Sequence, residues 1–122
     1  GYLGETQEDI QKTVEMVRTN RPDDIGISVS YPLPGTKFYE RVKEELGKKS
    51  NWTDSDDLDL MFKGTFQSAF YKRLQRYVHH IFRAQQGWQK IRKPSAQISW
   101  RYAFLLPYNL LSATYLKRTA EK

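Results

Sequence analysis

The apolar residues of the first third of the chain follow two different periods. Ile10, Val14 and Val17 recur at i, i+4 and i+7, with Thr13 on the same flank, which predicts an amphipathic helix over residues 7–19. Thr6 precedes it as an N-cap whose hydroxyl can accept a free amide of the first turn, and Glu8 and Asp9 suit the positive end of the helix dipole. Pro22 closes the helix, because proline disfavours helical backbone at the residue before it. Ile25, Ile27 and Val29 then alternate with Gly26, Ser28 and Ser30, the period of a strand with one large-residue face, and predict a strand over 24–31. Pro32-Leu33-Pro34-Gly35-Thr36 reads as a rigid turn. Thr36 caps a short helix with Phe38, Val42 and Leu46 on its apolar stripe and Gly47 at its end. Helix, strand, loop and helix is the order of an α/β fold with parallel strands. A single strand cannot pair with itself, so its partners are either missed or lie outside this chain.

A different pattern governs the remainder. Residues 48–64 read as a linker with a helical turn over 56–62 capped by Ser55. Phe66, Phe70, Leu74, Val78, Ile81, Phe82, Trp88 and Ile91 then trace a helical stripe, with Lys72, Arg73, Arg76, Arg83 and Lys90 largely off it. The helix is expected over 65–86, weakened or ended by Gly87. Lys93-Pro94-Ser95 is a turn, and a second helix is expected over 96–118 with a kink at Pro107. Two long helices joined by a short turn make an antiparallel hairpin.

Composition narrows the chemistry. The 122 residues hold 20 Lys and Arg against 14 Asp and Glu, with eight Tyr, six Phe and three Trp, too aromatic for a disordered tail. The longest apolar stretch, residues 102–111, is broken by Pro107 and Asn109 and falls well short of the ~20 residues needed to span a bilayer. The chain has no cysteine, which excludes disulfides, thiolate metal sites and cysteine nucleophiles within it. It starts at Gly1 without a signal or transit segment, and reads as a processed product or a piece of a longer cytoplasmic protein. Charge divides it sharply. Residues 1–62 carry 8 basic and 13 acidic side chains, residues 63–122 carry 12 basic ones and the single acid Glu121. That asymmetry suggests either two structural units, 1–62 and a basic helical extension 63–122, or an acidic face docked on a basic one.

Candidate chemical motifs fail on inspection. Asp54-Ser55-Asp56-Asp57-Leu58-Asp59 puts Leu58 at a ligand position of a calcium loop and lacks its glycine, so helix-start acids are the better account. His79 and His80 are neighbours, pointing about 100° apart on a helix, and cannot chelate one metal together. Pro34-Gly35-Thr36-Lys37 has the wrong order for a phosphate loop, and the Asn51-Trp52-Thr53 glycosylation sequon is a chance match. No Ser-His-Asp or paired-carboxylate arrangement emerges, so the residues themselves show no catalytic centre.

Two stretches carry a specific resemblance. Gly1-Tyr2-Leu3-Gly4-Glu5-Thr6-Gln7-Glu8-Asp9 resembles the Gly-x-Pro-Gly-Glu-Thr-x-Glu-Asp stretch after the fifth strand of many radical S-adenosylmethionine enzymes. Pro32-Leu33-Pro34-Gly35-Thr36-Lys37-Phe38-Tyr39 resembles the Pro-Leu-Pro-Gly-Thr-x-Phe-Tyr stretch after their sixth strand. With Trp52-Thr53-Asp54-Ser55-Asp56-Asp57-Leu58 and Phe62-Lys63-Gly64-Thr65-Phe66, the combination is similar to the subgroup with an upstream cobalamin-binding domain, which includes relatives of the anaerobic magnesium-protoporphyrin monomethyl ester cyclase. The likeness covers residues 1–71 and not the basic helices, and Leu3 departs from the family's proline.

The resemblance implies the last helix–strand–helix of a partial (β/α)6 TIM-type barrel, then a helical tail, as the carboxy-terminal fragment of a larger enzyme. That parent would use a 4Fe–4S cluster, held by an upstream Cys-x3-Cys-x2-Cys motif, to cleave S-adenosylmethionine to a 5′-deoxyadenosyl radical, with cobalamin as a further parent cofactor. The fragment alone would bind no cofactor, and its first partner would be the upstream polypeptide. In such a barrel ligands sit at the carboxyl ends of the strands. Gly4 and Glu5 would shape the wall near S-adenosylmethionine, and Ser30, Tyr31 and Pro32 would line the mouth. An unpaired strand also offers an edge for self-association. The competing readings are a stand-alone basic helical module binding nucleic acid or another anionic partner, and a protein-interaction or membrane-surface appendage. Nucleic acid is the less favoured partner, because the aromatics of the basic half lie on the apolar stripe rather than among the arginines.

Overall fold

A computed structural model describes residues 1–46, 58, 60–92 and 100–120, the side chains of 100–103 and 118–120 excepted. Four helices follow in order: α1 (Gln7–Asn20), α2 (Lys37–Val42), α3 (Ser68–Arg92) and α4 (Trp100–Ala120). The described residues contain no strand, which overturns the expected α/β barrel segment with its helix–strand–helix. The alternation over 24–31 is nonetheless real as burial: Ile25 and Ile27 are half-buried, Gly26 and Ser28 exposed, and Val29 buried. A period of two requires only that one side of a segment be covered, whereas a strand also needs a neighbour to complete its ladder. Among the described residues none supplies one, and the unpaired edge expected to drive self-association is not formed.

The chain divides into two compact units. The first comprises Gly1–Gln7 and Gly26–Lys72. Its core is Val42, Leu46, Met61 and Phe62, with Leu3, Tyr31, Phe38, Tyr39 and Leu60 packed around them. Phe38 sits centrally, its ring 4.7 Å from that of Tyr2 and edge-on to Phe62 at 5.1 Å. Thr36 caps α2 as its sequence position requires, with extended backbone and a hydroxyl that accepts from the Tyr39 amide at 3.1 Å. α2 is short, but it places Val42 in full burial, a contribution of about 1.5–3 kcal/mol. The helical turn expected over 56–62 is not formed at residues 60–62, which are irregular. Instead the Leu60 amide donates to the Ser68 hydroxyl at 3.1 Å, and the Lys63 amide donates to the Glu45 carboxylate at 2.6 Å. Gly47, the acidic run 54–57 with Asp59, the sequon and the 93–95 turn lie outside the described residues.

The second unit comprises Glu8–Ile25 and Arg73–Lys122. α1 buries Ile10 and half-buries Val14 and Val17, the stripe read from its spacing. It ends at Arg21, whose φ of 47° is left-handed and whose amide donates to Val17 O at 3.2 Å. This is the αL capping geometry, with Pro22 following. Two glutamines of α3 complete the end of α1 and the loop after it: Gln85 Nε2 donates to Arg18 O at 3.1 Å and Gln86 Nε2 to Asp23 O at 2.8 Å. α3 starts three residues later than expected and runs past Gly87, which is buried, to Arg92. One interior glycine costs about 1 kcal/mol against alanine, less than the burial of Val78, Phe82 and Ala84 along the same helix returns. α4 continues through Pro107. It meets α3 at Asn109 and Tyr108, both of which contact His80.

Candidate functional site

The two stretches that carry the resemblance fold by the same local device. In the first, the Glu5 amide donates to Tyr2 O at 3.0 Å across Leu3-Gly4, with Gly4 at φ 78°. In the second, the Thr36 amide donates to Leu33 O at 3.2 Å across Pro34-Gly35, with Gly35 at φ 84°. Both have the φ signs of a type II turn, which places a left-handed residue third and therefore favours glycine there. Leu3 takes the second position, where the turn needs only an ordinary negative φ, so a residue other than proline can hold it. Each turn feeds a helix, α1 directly after Thr6 and α2 directly after Thr36.

These stretches lie side by side in the first unit. The α-carbon of Gly1 is so close to Val29, Leu60 and Tyr71 that an added Cβ would stand 3.5, 2.9 and 3.6 Å from their side chains. Leu3 and Tyr31 pack on one apolar cluster. Of the five expected site residues, Gly4 is exposed and faces open space, Glu5, Ser30 and Tyr31 are half-buried, and Pro32 is buried.

Glu5 is the chemically loaded member. Its Oε2 accepts from the Tyr71 hydroxyl at 2.7 Å. Tyr71 is buried, and its ring meets Phe66 and Phe70 edge-on. Burial first, and then the hydrogen bond and charge of Glu5, push the Tyr71 hydroxyl well above the ordinary tyrosine range. The phenol therefore stays a donor, and Glu5 a fixed acceptor. Sequence reasoning missed Tyr71, because it is not on the apolar stripe read from spacing and nothing local links it to a carboxylate so far upstream.

Described residues of the second unit line at least two clefts. One, of about 410 Å³, is lined by Tyr77, Ile81, Ala84 and Trp88 of α3 and by Leu106 and Leu110 of α4, among others. The other, of about 320 Å³, gathers Arg21, Gln85, Trp88, Gln89 and Arg92, with the Arg92 guanidinium 5.4 Å from the Trp88 ring. His80 does structural work, its Nδ1 standing 2.8 Å from Asn109 Oδ1. Among the described residues no group of three His, Cys, Asp or Glu is placed to hold a metal ion. No protein-family model, curated protein or solved structure matches this chain.

Proposed function

We propose that the chain is the carboxy-terminal segment of a radical S-adenosylmethionine enzyme of the cobalamin-domain subgroup, and that its first unit contributes part of the wall of that enzyme's site. The observation that carries this reading is the pairing of the two motif stretches. Residues 1–6 and 32–36 share one turn-to-helix device, and the segments that contain them meet through Gly1 and Val29 and through a common apolar cluster. The reading does not include the barrel strand, since residues 24–31 are irregular.

With no cysteine, the chain does not fit a 4Fe–4S cluster, and any cluster would be held by residues outside it. Its own contribution is positional. Glu5 presents an acceptor oxygen held by Tyr71, suited to an amino or hydroxyl group of a ligand, and Gly4 leaves backbone open beside it. Ser30, Tyr31 and Pro32 line the same unit.

The test has two stages. The reading frame upstream of Gly1 is inspected for Cys-x3-Cys-x2-Cys; its absence overturns the proposal. If it is present, the full-length protein is reconstituted anaerobically, assayed for iron, sulfide and S-adenosylmethionine binding, and compared with Glu5→Gln. A stoichiometric cluster together with weakened binding in Glu5→Gln supports the reading. A full-length protein that takes up no cluster sinks it and favours the anionic-partner alternative.

A further inference from the structure

The two clefts of the second unit follow one another along α3. Positions 77, 81, 84, 85 and 88 line the larger, and positions 85, 88, 89 and 92 the smaller. These spacings of three and four residues put both sets on one face of the helix, the second continuing the first one turn further on. Gln85 and Trp88 belong to both clefts and form their common wall. Gln85 is held in place by its Nε2, which donates to Arg18 O at 3.1 Å. Volumes of about 410 and 320 Å³ are those of small-molecule sites.

Their chemistry differs. The larger cleft is chiefly apolar, with Ile81 and Ala84 on α3 and Leu106, Leu110 and Ala113 on α4. The smaller has no aliphatic wall and gathers Arg21, Gln89 and Arg92 around the indole of Trp88. Among the described residues neither of its guanidiniums has an acidic partner, whereas Arg18 and Lys12 of the same unit pair with Glu15 and Glu8. Arg21 stands there on left-handed backbone, φ 47°, a strain that glycine would not carry. Arg92 is aligned by the Trp88 ring, 5.4 Å from its guanidinium. Two unneutralised like charges in one cleft favour an anion between them, and the guanidinium fork matches the oxygens of a carboxylate or phosphate. Trp88 keeps half its surface open where this basic end meets the apolar one.

From this juxtaposition we infer that the groove along α3 binds an amphiphilic anion, a carboxylate or phosphate monoester on an apolar chain. The head group lies between Arg21 and Arg92, and the chain passes Trp88 towards Ile81, Leu106 and Leu110. The inference goes beyond the enzymatic reading and does not rest on it, since it concerns the second unit alone.

Isothermal titration calorimetry of the 122-residue chain with decanoate, decyl phosphate, decanol and inorganic phosphate, each below micelle-forming concentration, tests it. Saturable one-to-one binding is expected for at least one of the two amphiphilic anions, the tighter naming the head group. Decanol, which lacks the charge, and inorganic phosphate, which lacks the chain, should each bind roughly tenfold more weakly or not at all. Arg21→Gly and Arg92→Gln should each weaken the amphiphile roughly tenfold. Arg21→Gly also relieves backbone strain, so a loss of binding there is not a loss of folding, and circular dichroism of each variant checks this. Leu110→Gln, at a half-exposed site, should weaken binding several-fold through the chain alone. Absence of saturable binding by both anions overturns the inference. So does decanol binding as tightly as decanoate, uptake of many molecules per chain in the manner of a detergent, or an affinity unchanged in both arginine variants.

Discussion

The hydroxyl of Tyr71 donates to the Glu5 carboxylate at 2.7 Å and so joins two residues separated by 66 positions. The pair ties the amino-terminal loop to the start of α3 within one unit. Tyr71 is buried, whereas the Glu5 side chain keeps about a fifth of its surface exposed, so water can partly replace the phenol at the carboxylate. Tyr71→Phe should therefore cost about 1–2 kcal/mol, towards the lower end for a hydrogen bond to a charged group. Its pH signature is distinctive. The folded state raises the tyrosine above its ordinary 10.0, so the contribution is complete below pH 10 and is lost as pH rises beyond it, where the unfolded chain ionises first. Denaturation of both proteins between pH 8 and about 11 should show a steeper alkaline decline in wild type than in Tyr71→Phe, since burial first and the Glu5 carboxylate second favour the protonated phenol; parallel curves would mean the folded state does not hold the Tyr71 hydroxyl protonated.

The matched turns give a second prediction. Gly4 and Gly35 hold φ of 78° and 84°, and at each an added Cβ would meet nothing within 4 Å. Any penalty for alanine is thus purely conformational, about 1–2 kcal/mol for a left-handed L-residue. Gly4→Ala and Gly35→Ala should destabilise by nearly equal amounts in chemical denaturation. A markedly larger loss at one of them would show that its loop is held by more than its turn.

What the sequence revealed follows from which forces are local. α1 was legible to within a residue, because its stripe, acidic first turn and Pro22 act within the segment itself. The Thr36 cap was legible for the same reason. The strand was not, because Ile25, Ile27 and Val29 state only that one side is covered, and a ladder depends on a neighbour that no local pattern encodes. Gly87 suggested an end to α3, but glycine propensity is a small local cost that burial on a long helix overrides. α4 hid its orientation: with apolar residues around most of its circumference, spacing could not tell which side would face His80 and Ile81 and which would stay outside. Of the candidate site, Glu5 was legible through its motif, whereas Tyr71 required the tertiary contact.

Arg21 carries the one positive φ among the described non-glycine residues, 47°, at the end of α1. Its amide closes the helix on Val17 O, and this backbone shape is the one glycine adopts without strain. Arg21→Gly should raise stability by about 1 kcal/mol, read as a higher denaturant midpoint at unchanged m-value. A loss instead would show that the Arg21 side chain, which lines the cleft with Trp88 and Arg92, contributes more than the strain it imposes.

The last prediction concerns the polar contact between the two long helices. Asn109 is only 5% exposed, and both ends of its amide are used: Nδ2 donates to Leu105 O at 2.7 Å, and Oδ1 stands 2.8 Å from His80 Nδ1. With the amide nitrogen committed to a carbonyl, Oδ1 is the acceptor, so His80 Nδ1 bears the proton. The two residues are not equivalent. His80 is half-buried, and its Nδ1–H can turn to water when Asn109 is removed, whereas Oδ1 of buried Asn109 has no such recourse when His80 is removed. His80→Ala should cost about 1–3 kcal/mol, the penalty of a stranded buried acceptor, beyond any loss of ring packing against Tyr108. Asn109→Leu should be close to neutral, since an apolar side chain suits a site lined by helix surfaces. The double variant His80→Ala with Asn109→Leu should recover most of the loss, giving a coupling of about 0.5–3 kcal/mol in the cycle. Equilibrium urea denaturation of the four proteins reads it directly. If Asn109→Leu proves more costly than His80→Ala, the histidine is not satisfying the asparagine, and the two helices are held in register by apolar contacts alone.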